Sequence, residues 1–470
     1  MIRKLDLKPL ALLLLCAAML IPSTGAFAQS KKERKQAQEF AQDALKAYNQ
    51  KNYRITVDKA GQSLALVPVN ADLHFWKGYA HYYLKEFDNA VSELDLALAQ
   101  GFKPLEVYRV RSLAKFEKKD YEGALADFNE GLKLDPNNLM FLAGKAEINF
   151  NQKKYPDALA SYQLALAQDP SNAEIYFDIA KTQAMLGNAK SQSDMALEAI
   201  KRNYHYLGDA YYIAADGFIK QKRYEDAEQA LINAVSRWKA NNLKPQDMYT
   251  AYRLLGDIYR RLSRFDDAIK ITKQAIADFP NDGNLYTDAS WYYSLADRNK
   301  EAIEAAQAGI QFSPNEHLAY TNLCRAYNDA GQFPLAINNC NAALKITPED
   351  GETYFYLGRA YEATGKNNEA QAAYRKAVKG LEKFVTDSPD YSDGFYLLGN
   401  AYYTVNQGDD AIEAYKKCLE LSPRFARARY NLGIVYVAKK NKAAALEQYN
   451  SLQPLDASLA ANLKTEIDKL

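Results

Sequence analysis

The side chains here that could do covalent, metal or acid–base chemistry are four cysteines, four histidines and a few adjacent carboxylates. Of the histidines, His74, His81, His205 and His317, only His74 and His81 are close, seven residues apart. Neither has the Cys and Asp neighbours that a tetrahedral zinc site requires, so no metal is expected. Asp266-Asp267 and Asp409-Asp410 stand where helices are expected to begin, and attraction to the helix dipole accounts for them. There is no HExxH, no Walker A loop, no GxSxG and no strand-then-glycine fingerprint. The sequence therefore predicts no enzyme and no cofactor. Cys324 and Cys340 could pair, but only if their elements bring them face to face.

Those elements are legible in residues 392–425, SDGFYLLGNAYYTVNQGDDAIEAYKKCLELSPRF. Phe395, Leu398, Gly399 and Tyr402 fall at i, i+3, i+4 and i+7, the apolar stripe of one helix. The turn VNQGDD follows, where Gly408 is expected to take the unusual backbone angles and Asp409 to cap the next helix. Ala411, Ile412, Tyr415, Cys418 and Leu419 repeat the spacing until Ser422-Pro423 ends the second helix. Gly399 and Ala411 let the two backbones approach, with Tyr402 and Tyr415 filling the remaining space. One hairpin of this size cannot bury its own apolar faces and needs a copy on each side.

Copies run in both directions. The small residue opening the second helix recurs every 34 residues as Ala90, Ala124 and Ala158, as Ala268, Ala302, Ala336 and Ala370, and as Ala411 and Ala445. The closing proline keeps that period at Pro136 and Pro170, then at Pro280, Pro314 and Pro348. A small residue inside the first helix does so at Gly78, Ser112, Ala146 and Ala180, at Gly256, Ser290, Cys324 and Gly358, and at Gly399 and Gly433. This 34-residue pattern resembles the tetratricopeptide repeat (TPR), best in TYFYLGRAY (353–361), FYLLGNAYY (395–403) and ARYNLGIVY (428–436). The resemblance covers nearly everything after residue 36. It implies an all-α, right-handed α-solenoid of about twelve repeats, with first helices lining a concave groove that holds a partner protein or peptide.

On that groove side the first helices carry Trp291, Asn322, Arg325, Tyr356, Arg359, Tyr396, Asn400, Tyr403, Tyr430 and Asn431. Arg, Tyr, Trp and Asn are suitable anchors for an extended peptide or a helix; the alternative is a merely solvated groove wall. The family's chaperone-binding members clamp a terminal carboxylate with lysines, asparagines and an arginine. Asn400 and Asn431 are the best-placed pair here, but Tyr396 stands where the first lysine belongs, so that activity is not expected.

In an antiparallel hairpin turning near Gly331, Cys324 and Cys340 face each other. They form either a disulfide or two buried thiols, and Cys418, without a partner, is expected in the core. The start of the chain bears on whether an oxidising compartment makes the disulfide possible. Arg3, Lys4 and Lys8 precede a twelve-residue apolar run, Leu10 to Ile21, and Ala26-Phe27-Ala28 offers a small–x–small cleavage pattern. Residues 1–28 thus read as a signal peptide of bacterial style, cut near Ala28. The protein is then exported to the periplasm or outside the cell, an oxidising compartment, with no membrane span after signal removal. The 59 basic against 58 acidic residues give no field for nucleic acid or an anionic membrane.

Residues 29–36 read as a polar tail, 37–236 as a first array of about six repeats and 249–453 as a second. Residues 454–470 form a capping helix. The period slips by seven residues twice, between Ala227 and Ala268 and between Ala370 and Ala411. Seven residues is about two helical turns, so a long second helix is expected at each slip. Residues 237–248 become a helix end and loop, a candidate hinge. The second helix of the fifth repeat is degenerate, with Gln192 in place of the small residue. Two functions are compatible with this organisation: an exported scaffold binding envelope proteins in assembly or secretion, or an accessory binding glycan on exposed aromatics.

Overall fold

The computed structural model describes residues 30–470, so the expected signal peptide lies outside the described residues. The described residues form helices and turns only, in two compact units that divide between Ala230 and Leu231. The first unit contains α1 (Lys31–Asn49), α2 (Tyr53–Leu66), α3 (Ala71–Tyr83), α4 (Phe87–Ala99), α5 (Pro104–Glu117) and α6 (Tyr121–Leu134). It continues with α7 (Leu139–Asn151), α8 (Tyr155–Gln168), α9 (Ala173–Met185), α10 (Ala189–Lys201) and α11 (Leu207–Lys220). The division falls within α12 (Tyr224–Ala240). The second unit has α13 (Gln246–Arg261), α14 (Phe265–Asp278), α15 (Gly283–Leu295), α16 (Asn299–Phe312), α17 (His317–Asp329) and α18 (Phe333–Ile346). It ends with α19 (Gly351–Ala363), α20 (Asn367–Asp387), α21 (Ser392–Thr404), α22 (Gly408–Leu421), α23 (Ala426–Ala438), α24 (Lys442–Leu452) and α25 (Ala457–Ile467).

Within each unit the two helices of a hairpin pack on each other, as α3 does on α4 and α19 on α20, and a second helix packs on the first helix of the next hairpin, as α4 does on α5 and α16 on α17. The small residues allow this. A Cβ on Gly358 would lie 2.5 Å from the Tyr374 ring, and one on Gly399 2.6 Å from that of Tyr415. At position 399 the missing side chain thus makes room for a tyrosine ring. The second-helix alanines, Ala90 and Ala302 among them, are fully buried.

Each hairpin turns on one left-handed residue, and that residue keeps the 34-residue period as Lys51, Lys85, Lys119, Lys153 and Gly187. Two crossed hydrogen bonds enforce it: Lys85 N–H donates to Tyr82 O (3.0 Å) and Glu86 N–H to His81 O (2.9 Å), a Schellman closure. In the hairpin of α21 and α22 the left-handed residue is Asn406, φ 64°, and Gly408 begins α22. The turn is therefore set by Asn406 and not by Gly408, because asparagine also tolerates this region.

The two register slips are accommodated differently. α20 absorbs the second slip whole, at 21 residues against 14 for α18 and α22. The first is shared between α12, 17 residues, and α13, 16 residues. The degenerate α10 is still a regular helix. Gln192 is buried there because its amide donates to Ile213 O (2.8 Å) and Asp216 Oδ2 (2.7 Å). At the other end, α25 covers the last hairpin with Ala460, Leu463 and Ile467.

Cys324 on α17 and Cys340 on α18 are joined as a disulfide across the hairpin, and Cys418 is a buried free thiol. Closing a loop of this length contributes about 3 kcal/mol. Reduction should lower the urea stability of the second unit by that amount. Denatured protein spanning residues 29–470 should titrate one thiol before reduction and three after; three before reduction would contradict the bond.

Candidate partner-binding cavity

The first helices α15, α17, α19, α21 and α23 converge, within the second unit, on a cavity of about 910 Å³. One repeat position supplies Trp291, Arg325, Arg359 and Asn400 in succession, and Tyr356, Tyr396, Tyr403 and Asn431 join them. Eight of the ten groove residues expected from sequence therefore line one space. Its volume is that of a ligand site rather than a packing defect. Ten aromatic side chains contribute to the wall, and the two added turns of α20 bring Lys383, Phe384 and Asp387 into it.

The other two expected residues are placed elsewhere. Asn322 is buried behind the wall; its Nδ2 donates to Thr287 O (2.9 Å) and its Oδ1 accepts from Arg325 Nη2 (3.0 Å), so it positions Arg325. Tyr430 packs into the terminal core with Leu463 and Ile467, because α25 covers that side of α23.

Two contacts, more than a hundred residues apart in sequence, tie elements around the cavity together. Arg260 of α13, buried, binds Asp393 of α21 and places Nε 3.1 Å from Asp257 Oδ1. Its guanidinium lies 5.1 Å from the Trp291 ring and 5.3 Å from that of Tyr391. Farther along, Arg427 of α23 donates to Asp297 (2.9 Å) at the end of α15. On the opposite wall, Asn431 Nδ2 and Tyr415 Oη each donate to Asn400 Oδ1 at 2.7 Å.

Seven carboxylates line the cavity (Asp329, Glu349, Asp350, Glu352, Glu362, Asp387 and Asp393), against four cations, Arg325, Arg359, Lys383 and Arg427. Arg359 pairs with Asp329 (3.2 Å) and Lys383 with Glu349 (2.9 Å). Arg325 is 3.6 Å from Glu352 and its Nε has no partner. Glu352 keeps 26 % of its side chain accessible and lines the cavity. Burial, followed by the neighbouring Asp350 and Asp393 against the pull of Arg325, pushes its carboxyl up to about 7.

That shift has a stability consequence. Between pH 4.5 and 7 the unfolded chain ionises Glu352 while the folded chain keeps it protonated, so stability falls as pH rises through this window. Glu352→Gln lacks this loss. Its stability relative to the parent should improve by about 1–3 kcal/mol between pH 4.5 and 8 in urea unfolding. A constant difference would contradict the assignment.

Sequence reasoning missed Glu352, Tyr391, Asp393, Arg260 and Arg427. Glu352, Asp393 and Arg427 occupy one repeat position, at the second residue of α19, α21 and α23. A charged residue at that position in three successive first helices was the available signal.

In the first unit, His74 Nδ1 meets Glu93 Oε2 and His81 Nδ1 meets Glu86 Oε2, each at 2.6 Å. Among the described residues no group of His, Cys, Asp and Glu could hold a metal ion, and no helix is long and apolar enough to cross a membrane.

Family profiles described as TPR repeat match residues 146–187 and 399–440, and others described as tetratricopeptide repeat match 105–138, 212–283 and 321–383. The chain belongs to the tetratricopeptide repeat family. Among solved structures, this TPR chain is similar to the crystal structure of the APC/C hetero-tetramer Cut9-Hcn1. The two are 15% identical over 92% of this chain and 96% of that one, with a TM-score of 0.37. It is also similar to yeast Tom70, 14% identical over 85% of this TPR chain and 95% of Tom70, with a TM-score of 0.34. No curated protein sequence matches it.

Proposed function

We propose that this TPR protein is a non-catalytic, exported scaffold of the bacterial envelope that holds a segment of a partner protein in the cavity of its second unit. The observation that carries the reading is the convergence of Trp291, Arg325, Tyr356, Arg359, Tyr396, Asn400, Tyr403 and Asn431 on one ligand-sized space. Rigid aromatic and arginine side chains at the centre of a concave surface are what a partner segment uses as anchors. Export is supported by the pattern of residues 1–28, and the Cys324–Cys340 bond fits an oxidising compartment.

The aromatic wall also supports a second reading, a glycan-binding accessory of an export system. Affinity purification of the tagged protein from its native envelope after cross-linking separates the two. A stoichiometric protein linked to cavity residues, and lost with Trp291→Ala, supports the scaffold. Recovery of the bait alone, with saccharide binding to the purified protein, supports the accessory.

A further inference from the structure

The charges of the cavity are not in balance, and the imbalance has a location. Three of the four wall cations are paired with carboxylates: Arg359 with Asp329, Lys383 with Glu349, and Arg427 with Asp297 outside the cavity. Arg325 is held by Asn322 and lies beside Glu352. Carboxylates remain after these pairings. Asp350 caps α19, Glu362 accepts from Tyr374 Oη (2.7 Å), and Asp387 ends α20; none of the three is in an ion pair. Asp350 is half-buried and Glu362 and Asp387 are exposed, so this surplus negative charge is open to a cation that enters the cavity. Burial raises the Glu352 carboxyl and Arg325 opposes the rise, while Asp350 and Asp393 add to it.

The wall also shows how it holds such a charge. Arg260 lies against the rings of Trp291 and Tyr391, which also touch each other, and against Asp257 and Asp393, so aromatic faces and carboxylates together hold a guanidinium. Trp291, Tyr391 and Asp393 all face the cavity as well.

We infer that the cavity is built to take a cationic guest, a lysine- or arginine-bearing segment of the partner protein. The inference rests on the reading of this cavity as the partner site and adds the chemistry of what enters it. Complementarity of this kind excludes acidic segments more strongly than it tightens basic ones.

The test is calorimetry of the protein spanning residues 29–470 with three end-blocked hexapeptides, identical except for a central Arg-Arg, Gln-Gln or Glu-Glu pair. At pH 8 the Arg-Arg peptide should bind about tenfold more tightly than Gln-Gln, with Glu-Glu weaker still. Its affinity should fall as pH drops below 7, and binding at pH 7 should release a proton that Glu352→Gln does not release. The peptide series uses the unaltered protein, so the outcome does not depend on how that variant folds. Equal affinities, or tightest binding of Glu-Glu, would overturn the charge preference and leave the cavity a peptide site. No binding by any peptide, with a native partner still cross-linked at the cavity, would overturn the preference alone. No binding and no cross-link would overturn the partner site as well.

Discussion

Gly380→Val should lower the stability of the second unit by about 3 kcal/mol or more, the upper range for overpacking. Gly380 of α20 and Gly351 of α19 meet backbone to backbone. A Cβ at 380 would lie 2.6 Å from Glu349 O and 2.7 Å from both N and Cα of Gly351. Neither side can yield by rotating a side chain, so the start of α19 must move, and Asp350, Glu352 and Tyr356 must move with it. Both glycines line the cavity, so the loss of stability and of partner binding should go together. Urea unfolding measures the first, and hydrogen exchange over 347–390 should localise it. Gly61→Ala is the control. Nothing lies within 4 Å of the added carbon, and helix propensity alone should stabilise α2 by about 0.5–1 kcal/mol. Equal effects at the two glycines would show that the close approach in α19 and α20 does not form.

Arg260→Ala should cost about 3–5 kcal/mol, as expected when one partner of a buried ion pair is removed. The deletion leaves Asp393 buried opposite an empty space beside Trp291 and Tyr391. Burial would lower the proton affinity of Arg260, yet Asp393 and then Asp257 outweigh it and hold the guanidinium firmly charged. The double change Arg260→Met with Asp393→Leu removes both charges and fills the space, and should recover most of the loss. A loss below about 1 kcal/mol in the single variant, the range of an exposed pair, would mean that the contact between α13 and α21 is not formed. Trp291 fluorescence should shift to the red in Arg260→Ala, because the indole loses the cation that covers it.

The fold was legible because its signals are periodic. Alanines such as Ala302 and glycines such as Gly358 recur at a fixed spacing, each at a place where two helices must nearly touch. Trp291, Arg325, Arg359 and Asn400 were legible as a wall for the same reason, since a residue that faces outward between two packing positions does so in every copy. What was missed lacks a period. Arg260 and Asp393 are 133 residues apart, and nothing local marks one as the partner of the other. Glu352 and Asp393 sit in the first turns of α19 and α21, where the helix dipole is a sufficient reason for an acid. The length of α20 was readable as a continued apolar stripe, but its role as a wall was not, because that depends on which first helices it crosses. Tyr430 failed for the opposite reason: it keeps its place in the repeat, but α25 covers it. The left-handed lysines of the early hairpins show that hydrogen bonding can fix a turn without glycine.

The central claim, that the cavity of the second unit receives the partner, is tested most directly by placing one photo-reactive amino acid at Tyr403. That residue is exposed at the cavity wall, and Leu164 in α8 is the exposed comparison position. Irradiation in the native envelope should give one discrete protein adduct from position 403 and none from position 164. An adduct from 164 with none from 403 would place the partner outside the cavity and contradict the account.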